Sequence, residues 1–298
     1  MTISGATADS GPPVPELPEV EALARFLDER ITGRVIEKAR VAHIAALKTF
    51  DPPIEALAGR TVKAVTRRGK YLEIDTGGVW LVTHLARGGW IKWHDVAPTT
   101  PIKPTKSPLA FRVVLDNKSG FDMTEMGTDR RLSVWVVRDP NDIEFVASLG
   151  PEAFDLDESK LAQLLNEAGS VQLKGALVDQ RLIAGIGNAY SDDILHAARL
   201  SPFKKANKLT DDELSGLHAA IVSVLTDAFE RSKGLPAAGL KAEKRSGMRV
   251  HAKTGQPCPV CGDVIREVSF ATKSLQYCAT CQTGGKPLAD RRMSRLLK

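Results

Sequence analysis

Four cysteines constrain the fold of this chain more than any other feature. Cys258, Cys261, Cys278 and Cys281 all lie in the last 41 residues, with the spacing C-x2-C-x16-C-x2-C. A two-residue spacing lets both thiolates of a tight turn point at one tetrahedral metal. Between the pairs, DVIREVSF and SLQYC alternate like two short strands. We therefore predict a zinc-finger hairpin with one structural Zn²⁺ and no open coordination position. A pair of redox dithiols is the competing interpretation.

The charge of the chain is concentrated at its C-terminal end. The net charge is +5 over 298 residues, whereas residues 240–298 alone carry twelve Lys/Arg against four Asp/Glu. A basic block of this kind indicates a polyanionic partner, with nucleic acid first, although basic tails are often only solvated. The sequence has no apolar run of about 18 residues, so we expect no membrane span.

The first two thirds of the chain change from a strand pattern to a helix pattern. LPEVEALARFLDERITG has apolar residues at helical spacing, and eight strand-like segments punctuated by Gly, Pro, Asp and Asn follow it. They predict an antiparallel sandwich or barrel. From Ser159 onward the pattern is helical, and Thr210 with Glu213 predicts a capping box at a helix start.

These patterns predict an α+β multidomain chain. It has an N-terminal helix plus antiparallel β-sandwich, a C-terminal helical domain and a zinc-finger hairpin. We place a disordered tail at 1–13, the β domain at 14–148, the helical domain at 149–245, and the finger with its basic tail at 246–298. The Gly/Lys-rich segment SKGLPAAGLKAEKRSGMRVHAKTGQP is expected to be mobile and able to cover a ligand.

The motif PELPEVE, which begins at Pro15, has two interpretations. It can be a turn in which proline presets φ before a helix. Alternatively, a proline at the start of a mature chain is a secondary amine that condenses with aldehydes, and Glu16 and Glu19 would handle protons beside it. The second interpretation requires a native chain that begins at Pro15. We expect this, with initiation at the Val14 codon and removal of the initiator methionine.

Six motifs occur in an order that resembles one family of DNA repair enzymes. PELPEVE, RRGKYL, HLARGGW, TDRRLSVW, GIGNAYSDDILHAARLSP and the four-cysteine finger follow one another from Pro15 to the C-terminal end. The chain resembles the formamidopyrimidine-DNA glycosylase / endonuclease VIII family. The resemblance implies a helix-two-turn-helix motif in the helical domain. It also implies a bifunctional enzyme that excises an oxidatively damaged base and then cuts the backbone as an AP lyase.

The resemblance also implies roles at the opening motif. Pro15 matches the proline that attacks C1′ of the damaged nucleotide to form a Schiff base, which permits β- and δ-elimination. Glu16 matches the proton donor and acceptor. Glu19 matches a second acid that orders the terminal amine or a water.

DNA contacts are implied at six further positions. Lys70 matches a strand lysine that holds the phosphate beside the lesion, and Asn188 matches the asparagine of the helix-two-turn-helix motif. Glycines 185 and 187 let backbone amides approach a phosphate there. The residues implied to fill the gap left by a flipped base, or to clamp the backbone, are Arg87, Arg131, Leu132 and Lys273.

Three of these positions depart from the family pattern. Arg87 stands where a methionine is common, and Leu132 stands where a phenylalanine wedge is common, although leucine is a reasonable apolar wedge. Lys273 replaces an arginine and cannot form its bidentate fork. The family lysine ahead of the GIGN helix has a candidate in Lys174.

We therefore expect a bacterial cytoplasmic protein, associated with the nucleoid when bound, that acts as a monomer on damaged double-stranded DNA. A catalytically altered relative that binds damaged DNA without glycosylase activity is the alternative. A generic zinc-ribbon nucleic-acid module fused to a β domain is a third interpretation, and it leaves PELPEVE unexplained. The lesion and the opposite base stay open.

Overall fold

The computed structural model describes residues 14–100, 107–127, 130–270 and 274–289. The chain forms two compact units. The β unit contains residues 12–149 and 229–244, and the helical unit contains residues 150–228 and 245–298. The predicted domain limits at 148/149 and 245/246 stay predictions, since the chain returns to the β unit for residues 229–244. Over the described residues, no helix is both long and apolar enough to cross a membrane.

The β unit begins with a helix that follows directly from the opening motif. Helix α1 spans Leu17–Ile31 and buries its apolar face, including Leu23 and Leu27. Glu16 and Glu19 form a reciprocal capping box at its start, which satisfies backbone donors that a helix N-terminus leaves unpaired. Gly33, with φ +82°, follows the end of the helix. The predicted helix is therefore confirmed.

Two four-stranded antiparallel sheets follow this helix in the described part of the β unit. The strands are β1 Ile36–Val41, β2 Ala64–Arg68, β3 Tyr71–Asp75, β4 Trp80–His84, β5 Gly89–His94, β6 Leu109–Leu115, β7 Gly120–Glu125 and β8 Ser133–Val137. One sheet has the order β1-β6-β7-β5 and the other β2-β3-β4-β8. Side chains of both sheets share one apolar core with α1, which confirms the sandwich.

The remaining helices are divided between the two units, and the helical unit also contains the finger hairpin. A short helix, α2 Glu144–Ala147, closes the first part of the β unit. The helices that follow are α3 Glu158–Glu167, α4 Leu173–Val178, α5 Asn188–Ala197, α6 Asp211–Ser232, α7 Leu240–Gly247 and α8 Ala279–Thr283. The Thr210–Glu213 capping box is confirmed at the start of α6, since Thr210 N donates to Glu213 Oε2 at 2.9 Å.

The segment expected to be a mobile linker contains a helix and buried side chains. It contains α7, and its side chains at Ala237, Leu240 and Lys244 are 4% exposed or less. The helix was not predicted, because Gly and Lys content reports solvation of an isolated segment, while tertiary contacts decide whether a short helix forms. Mobility of the segment stays a prediction.

Candidate active site and nucleic-acid contacts

The opening motif forms a buried charged cluster. Pro15 is buried, and Glu16 and Glu19 are at most 1% exposed. Glu16 N donates to Glu19 Oε2 at 2.9 Å, so the Glu19 carboxylate fixes the backbone directly after Pro15. The structure thus brings the three predicted catalytic residues together at the N-terminus of α1. Their catalytic roles stay predictions.

A lysine far away in sequence completes this cluster. Lys244 Nζ lies 2.8 Å from Glu19 Oε2 and 3.7 Å from Glu16 Oε1, and it donates to the carbonyl oxygen of Val14 at 2.8 Å. The Lys244 side chain is only 3% exposed. Sequence reasoning missed it because KAEKRSG has the composition of a solvated segment. Its buried ion pair with Glu19 joins two residues that are 225 positions apart in sequence.

Lys70 lies in a hairpin turn and not on a strand. Gly69 and Lys70 connect β2 to β3, and Gly69 has φ +56°, which suits the first central position of a two-residue turn. Lys70 is half-buried and near His84, where burial and the positive charge of Lys70 lower the pKa of the imidazole to about 4. His84 is therefore neutral near pH 7.

Arg87 and Arg131 lie in two neighbouring loops, and both are exposed. Met126 connects the loops, because its N–H donates to the Gly88 carbonyl at 3.1 Å. A Cβ on Gly88 would lie 2.2 Å from the Met126 oxygen, so only glycine fits this approach. Met126 itself is 59% exposed, an apolar side chain between two cations that sequence reasoning did not single out.

Leu132 does not occupy the position expected of a wedge. It is 2% exposed and belongs to the apolar core of the sandwich. Its N–H and that of Arg131 both donate to Glu125 Oε1, at 2.8 and 2.6 Å. These bonds hold the start of β8 with Leu132 inward. The wedge role therefore finds no support in this structure. Lys273 lies outside the described residues.

In the helical unit, Asn188 is the first residue of α5. Its Nδ2 donates to the Ser274 carbonyl at 2.9 Å, which ties the helix start to the finger hairpin. Gly185 has φ +100°, and its N–H donates to Gln180 Oε1. The Gln180 side chain therefore stabilises the loop before the helix. The amide of Asn188 is thus engaged with the protein itself in this structure.

Lys174 anchors the same helix start from α4. Its Nζ donates to the Asn188 carbonyl at 3.0 Å and to Asp192 Oδ1 at 2.6 Å. Asp192 is fully buried and also accepts from His251 Nδ1 and Gln276 N. This network joins α4, α5 and the finger, and it gives Lys174 a structural function.

The neighbouring Asp193 fixes the chain that leads into the finger. It is 1% exposed and accepts backbone N–H bonds from Arg249, Val250 and His251 at 2.7–3.1 Å. Burial raises the pKa of this carboxyl, and the three backbone bonds partly offset that effect. Neither acid was singled out from the sequence, where SDD reads as an ordinary first helical turn.

The finger has the geometry of a tetrahedral zinc site. Strands β9 Ile265–Ser269 and β10 Ser274–Cys278 pair antiparallel, as the alternation predicted. The four cysteine sulfurs lie within 4.8 Å of one another, with Cys258–Cys281 at 3.8 Å and Cys261–Cys278 at 3.4 Å. Tetrahedral zinc with Zn–S bonds of about 2.3 Å places its sulfurs about 3.8 Å apart, so this set fits one structural Zn²⁺.

A histidine supports the zinc ligands from α5. His196 is 2% exposed, and its Nε2 lies 3.2 Å from Cys258 Sγ. Burial lowers the pKa of His196 to about 4, with Arg249 and Arg199 adding to the effect. A neutral imidazole donating from Nε2 to the thiolate orients that ligand.

Comparison with known proteins agrees with these features. Residues 14–132 match the formamidopyrimidine-DNA glycosylase N-terminal domain, residues 149–237 match the H2TH domain of the same enzyme, and residues 255–284 match the zinc finger found in FPG and IleRS. The helix-two-turn-helix and finger predictions are thereby confirmed.

One curated relative matches most of the chain and another matches about half of it. A formamidopyrimidine-DNA glycosylase of Exiguobacterium sibiricum is 32% identical over 90% of this chain and 99% of its own. An uncharacterized formamidopyrimidine-DNA glycosylase-like protein of Mycobacterium tuberculosis is 64% identical over 51% of this chain and 95% of its own. A Lactococcus lactis Fpg in complex with abasic-site DNA superposes with a TM-score of 0.79 and 25% identity, covering 90% of this chain and 99% of that one.

Proposed function

Because this chain belongs to the formamidopyrimidine-DNA glycosylase family of DNA glycosylases, we propose that it excises oxidatively damaged bases from double-stranded DNA and then cleaves the backbone as an AP lyase. The observation that carries the proposal is the buried cluster at the start of α1. Two carboxylates beside Pro15, both almost completely removed from water, form an environment that can move protons at a reacting sugar.

The proposed chemistry requires Pro15 as the first residue, because an internal proline is a tertiary amide. Its amine attacks C1′, the bond from C1′ to the damaged base breaks, and the base leaves with a proton supplied by Glu16. The C1′–O4′ bond then breaks and opens the sugar ring, with the proton of the amine passing to O4′, and the resulting iminium acidifies the 2′ hydrogen. Removal of that proton expels the 3′ phosphate in β-elimination, and δ-elimination expels the 5′ phosphate. Glu19, bonded to Glu16 N, holds the segment in place.

The proposed DNA surface uses the exposed cations of the β unit and the start of α5. Arg87 and Arg131 flank Met126 on adjoining loops and are proposed to contact the strand around the flipped nucleotide. Lys70 and Asn188 are proposed phosphate contacts, and Lys273 is a further one. Since each phosphate contact releases counterions, binding should weaken steeply as salt concentration rises.

The proposal is tested on a chain whose first residue is Pro15, confirmed by intact mass. Borohydride should trap a covalent complex with DNA that carries an oxidised base or an abasic site, and mass spectrometry should place the adduct on Pro15. Glu16→Gln should abolish base excision while DNA binding persists. Glu29→Gln is the matched control, since Glu29 is an exposed acid near the other end of the same helix.

Two outcomes would contradict the proposal. No trapped complex from a correctly processed chain would exclude the Pro15 mechanism. Loss of DNA binding in Glu16→Gln would show that Glu16 is structural. Binding to damaged DNA without excision or trapping would instead support the damage-binding alternative, which the burial of Leu132 favours because it removes the expected wedge from the surface.

A further inference from the structure

The position of Lys244 relative to Pro15 carries a further inference. Lys244 Nζ lies 2.8 Å from the carbonyl oxygen of Val14, and that oxygen belongs to the peptide bond whose nitrogen is Pro15 N. Oxygen and nitrogen of one peptide group are about 2.3 Å apart, given standard bond lengths. A primary amine therefore lies within about 5 Å of the proline nitrogen, inside the same buried cluster.

Contacts within the β unit hold this amine in place. Trp90 Nε1 donates to the Ala237 carbonyl at 2.7 Å, and Lys241 Nζ lies 4.7 Å from the centre of the Trp90 ring. Arg231 and Glu243 form an ion pair at 2.7 Å. These contacts fix the residues that precede Lys244, and Lys244 itself lies on helix α7, so its side chain enters the cluster from a helical backbone.

The Lys244 ammonium has proton acceptors within reach. Glu19 Oε2 lies 2.8 Å and Glu16 Oε1 lies 3.7 Å from Lys244 Nζ, so either carboxylate can take the proton that the ammonium gives up. Lysine amines form Schiff bases with carbonyl substrates once a neighbouring base takes the proton. Val14 is partly exposed, which places the cluster directly beneath the surface.

We propose that Lys244 is a second Schiff-base nucleophile of this site, used by any form of the chain in which Pro15 N remains in a peptide bond. The proposal rests on the proposed function, because it assigns the same aldehyde substrate, an abasic nucleotide. The neutral amine attacks C1′ of the ring-opened sugar and a C–N bond forms. The aldehyde oxygen leaves as water with protons from the amine and a glutamic acid, and the iminium then undergoes β-elimination of the 3′ phosphate.

The test uses the full chain with residues 1–14 retained, verified by intact mass, beside the chain that begins at Pro15. Each is incubated with abasic-site DNA and borohydride, and the trapped complex is digested with trypsin. An adduct on Lys244 blocks cleavage after that residue. The modified peptide therefore contains an uncleaved Lys244, which mass spectrometry detects. We expect the full chain to be trapped on Lys244.

Two variants of the full chain sharpen the result. Lys244→Arg keeps the positive charge against both carboxylates but provides a guanidinium, which does not act as a nucleophile. It should abolish the trapped complex, while tryptophan fluorescence shows an unchanged unfolding transition. Lys241→Arg, one helical turn earlier on α7, is the matched control and should trap as well as the parent.

The outcomes separate the two proposals. If the chain beginning at Pro15 is trapped and the full chain is not, the Lys244 proposal is overturned and the proposed function stands. If the full chain is trapped at its α-amino group or at another lysine, or if Lys244→Arg traps normally, the proposal is also overturned. If both chains are trapped on Lys244, the proposed role of Pro15 fails and that of Lys244 stands.

Discussion

Removing the charge of Lys244 should destabilise the β unit strongly. Lys244→Met leaves Glu16 and Glu19 buried, at 1% and 0% exposure, without an ammonium that contacts both. Removing one partner of a buried ion pair costs about 3–5 kcal/mol, because the remaining charge stays desolvated. Methionine fills a similar volume, so little of this loss would come from a cavity.

The four tryptophans make the measurement specific to this unit. Trp80, Trp90, Trp93 and Trp135 all lie within residues 12–149, so fluorescence-monitored urea unfolding reports on the β unit alone. We expect the free energy of unfolding from this signal to fall by about 3–5 kcal/mol in Lys244→Met. Zinc content should stay unchanged, since the cysteines belong to the helical unit.

A second-site change tests the electrostatic reason. Glu19→Gln removes the carboxylate that lies 2.8 Å from Lys244 Nζ and keeps an amide oxygen for Glu16 N. Combined with Lys244→Met it should cost much less than the sum of the two single changes, because the neutral amide no longer requires a cation. Additive costs, or a loss below about 1 kcal/mol in Lys244→Met, would refute the view that this is a charge-compensated buried cluster.

Three further predictions concern the zinc site, the helical unit and pH. Cys258→Ala should abolish zinc binding and unfold the finger, because metal binding supplies the folding energy there; metal analysis with DNA-affinity measurement checks it. Asp193→Ala should cost about 2–4 kcal/mol, and hydrogen exchange should show lost protection at the amides of Arg249–His251 that it binds. His84 has its pKa lowered to about 4 from 6.5, so its stabilising effect is present above pH 6.5 and is lost as pH falls towards 4. The tryptophan unfolding free energy should decrease by up to about 3 kcal/mol over that range, and the difference should disappear in His84→Gln.

The sequence predicted those parts of the structure that depend on local spacing. The 3.6-residue period identified α1, alternation identified the paired strands β9 and β10, and the two-residue cysteine spacing identified the zinc ligands. In each case the information lies within a few residues, since a helix face, a hairpin or a metal knuckle is a local geometry.

The missed features depend on contacts between distant segments. Lys244 is buried by residues more than 220 positions away, and no pattern in KAEKRSG indicates that. Leu132 was predicted to act as an apolar wedge from its place in the motif. Its orientation is instead set by Glu125, which accepts the N–H groups of Arg131 and Leu132. Lys70 was predicted on a strand but lies in the turn between β2 and β3, two residues after the end of β2 and one before the start of β3.

The two interpretations of PELPEVE turn out to involve the same atoms. Glu19 Oε2 accepts from Glu16 N as a helix cap and from Lys244 Nζ as an ion-pair partner. A turn that starts a helix and a charged cluster beside Pro15 are therefore one arrangement, and a substitution at either acid alters helix capping and proton handling together. Lys244 makes no capping bond to the backbone of α1 itself, although it shares Glu19 Oε2 with the cap. A substitution there that keeps the charge changes the available amine while leaving the capping bonds intact. Lys244 is thus the position at which chemistry and folding of this site can be measured separately.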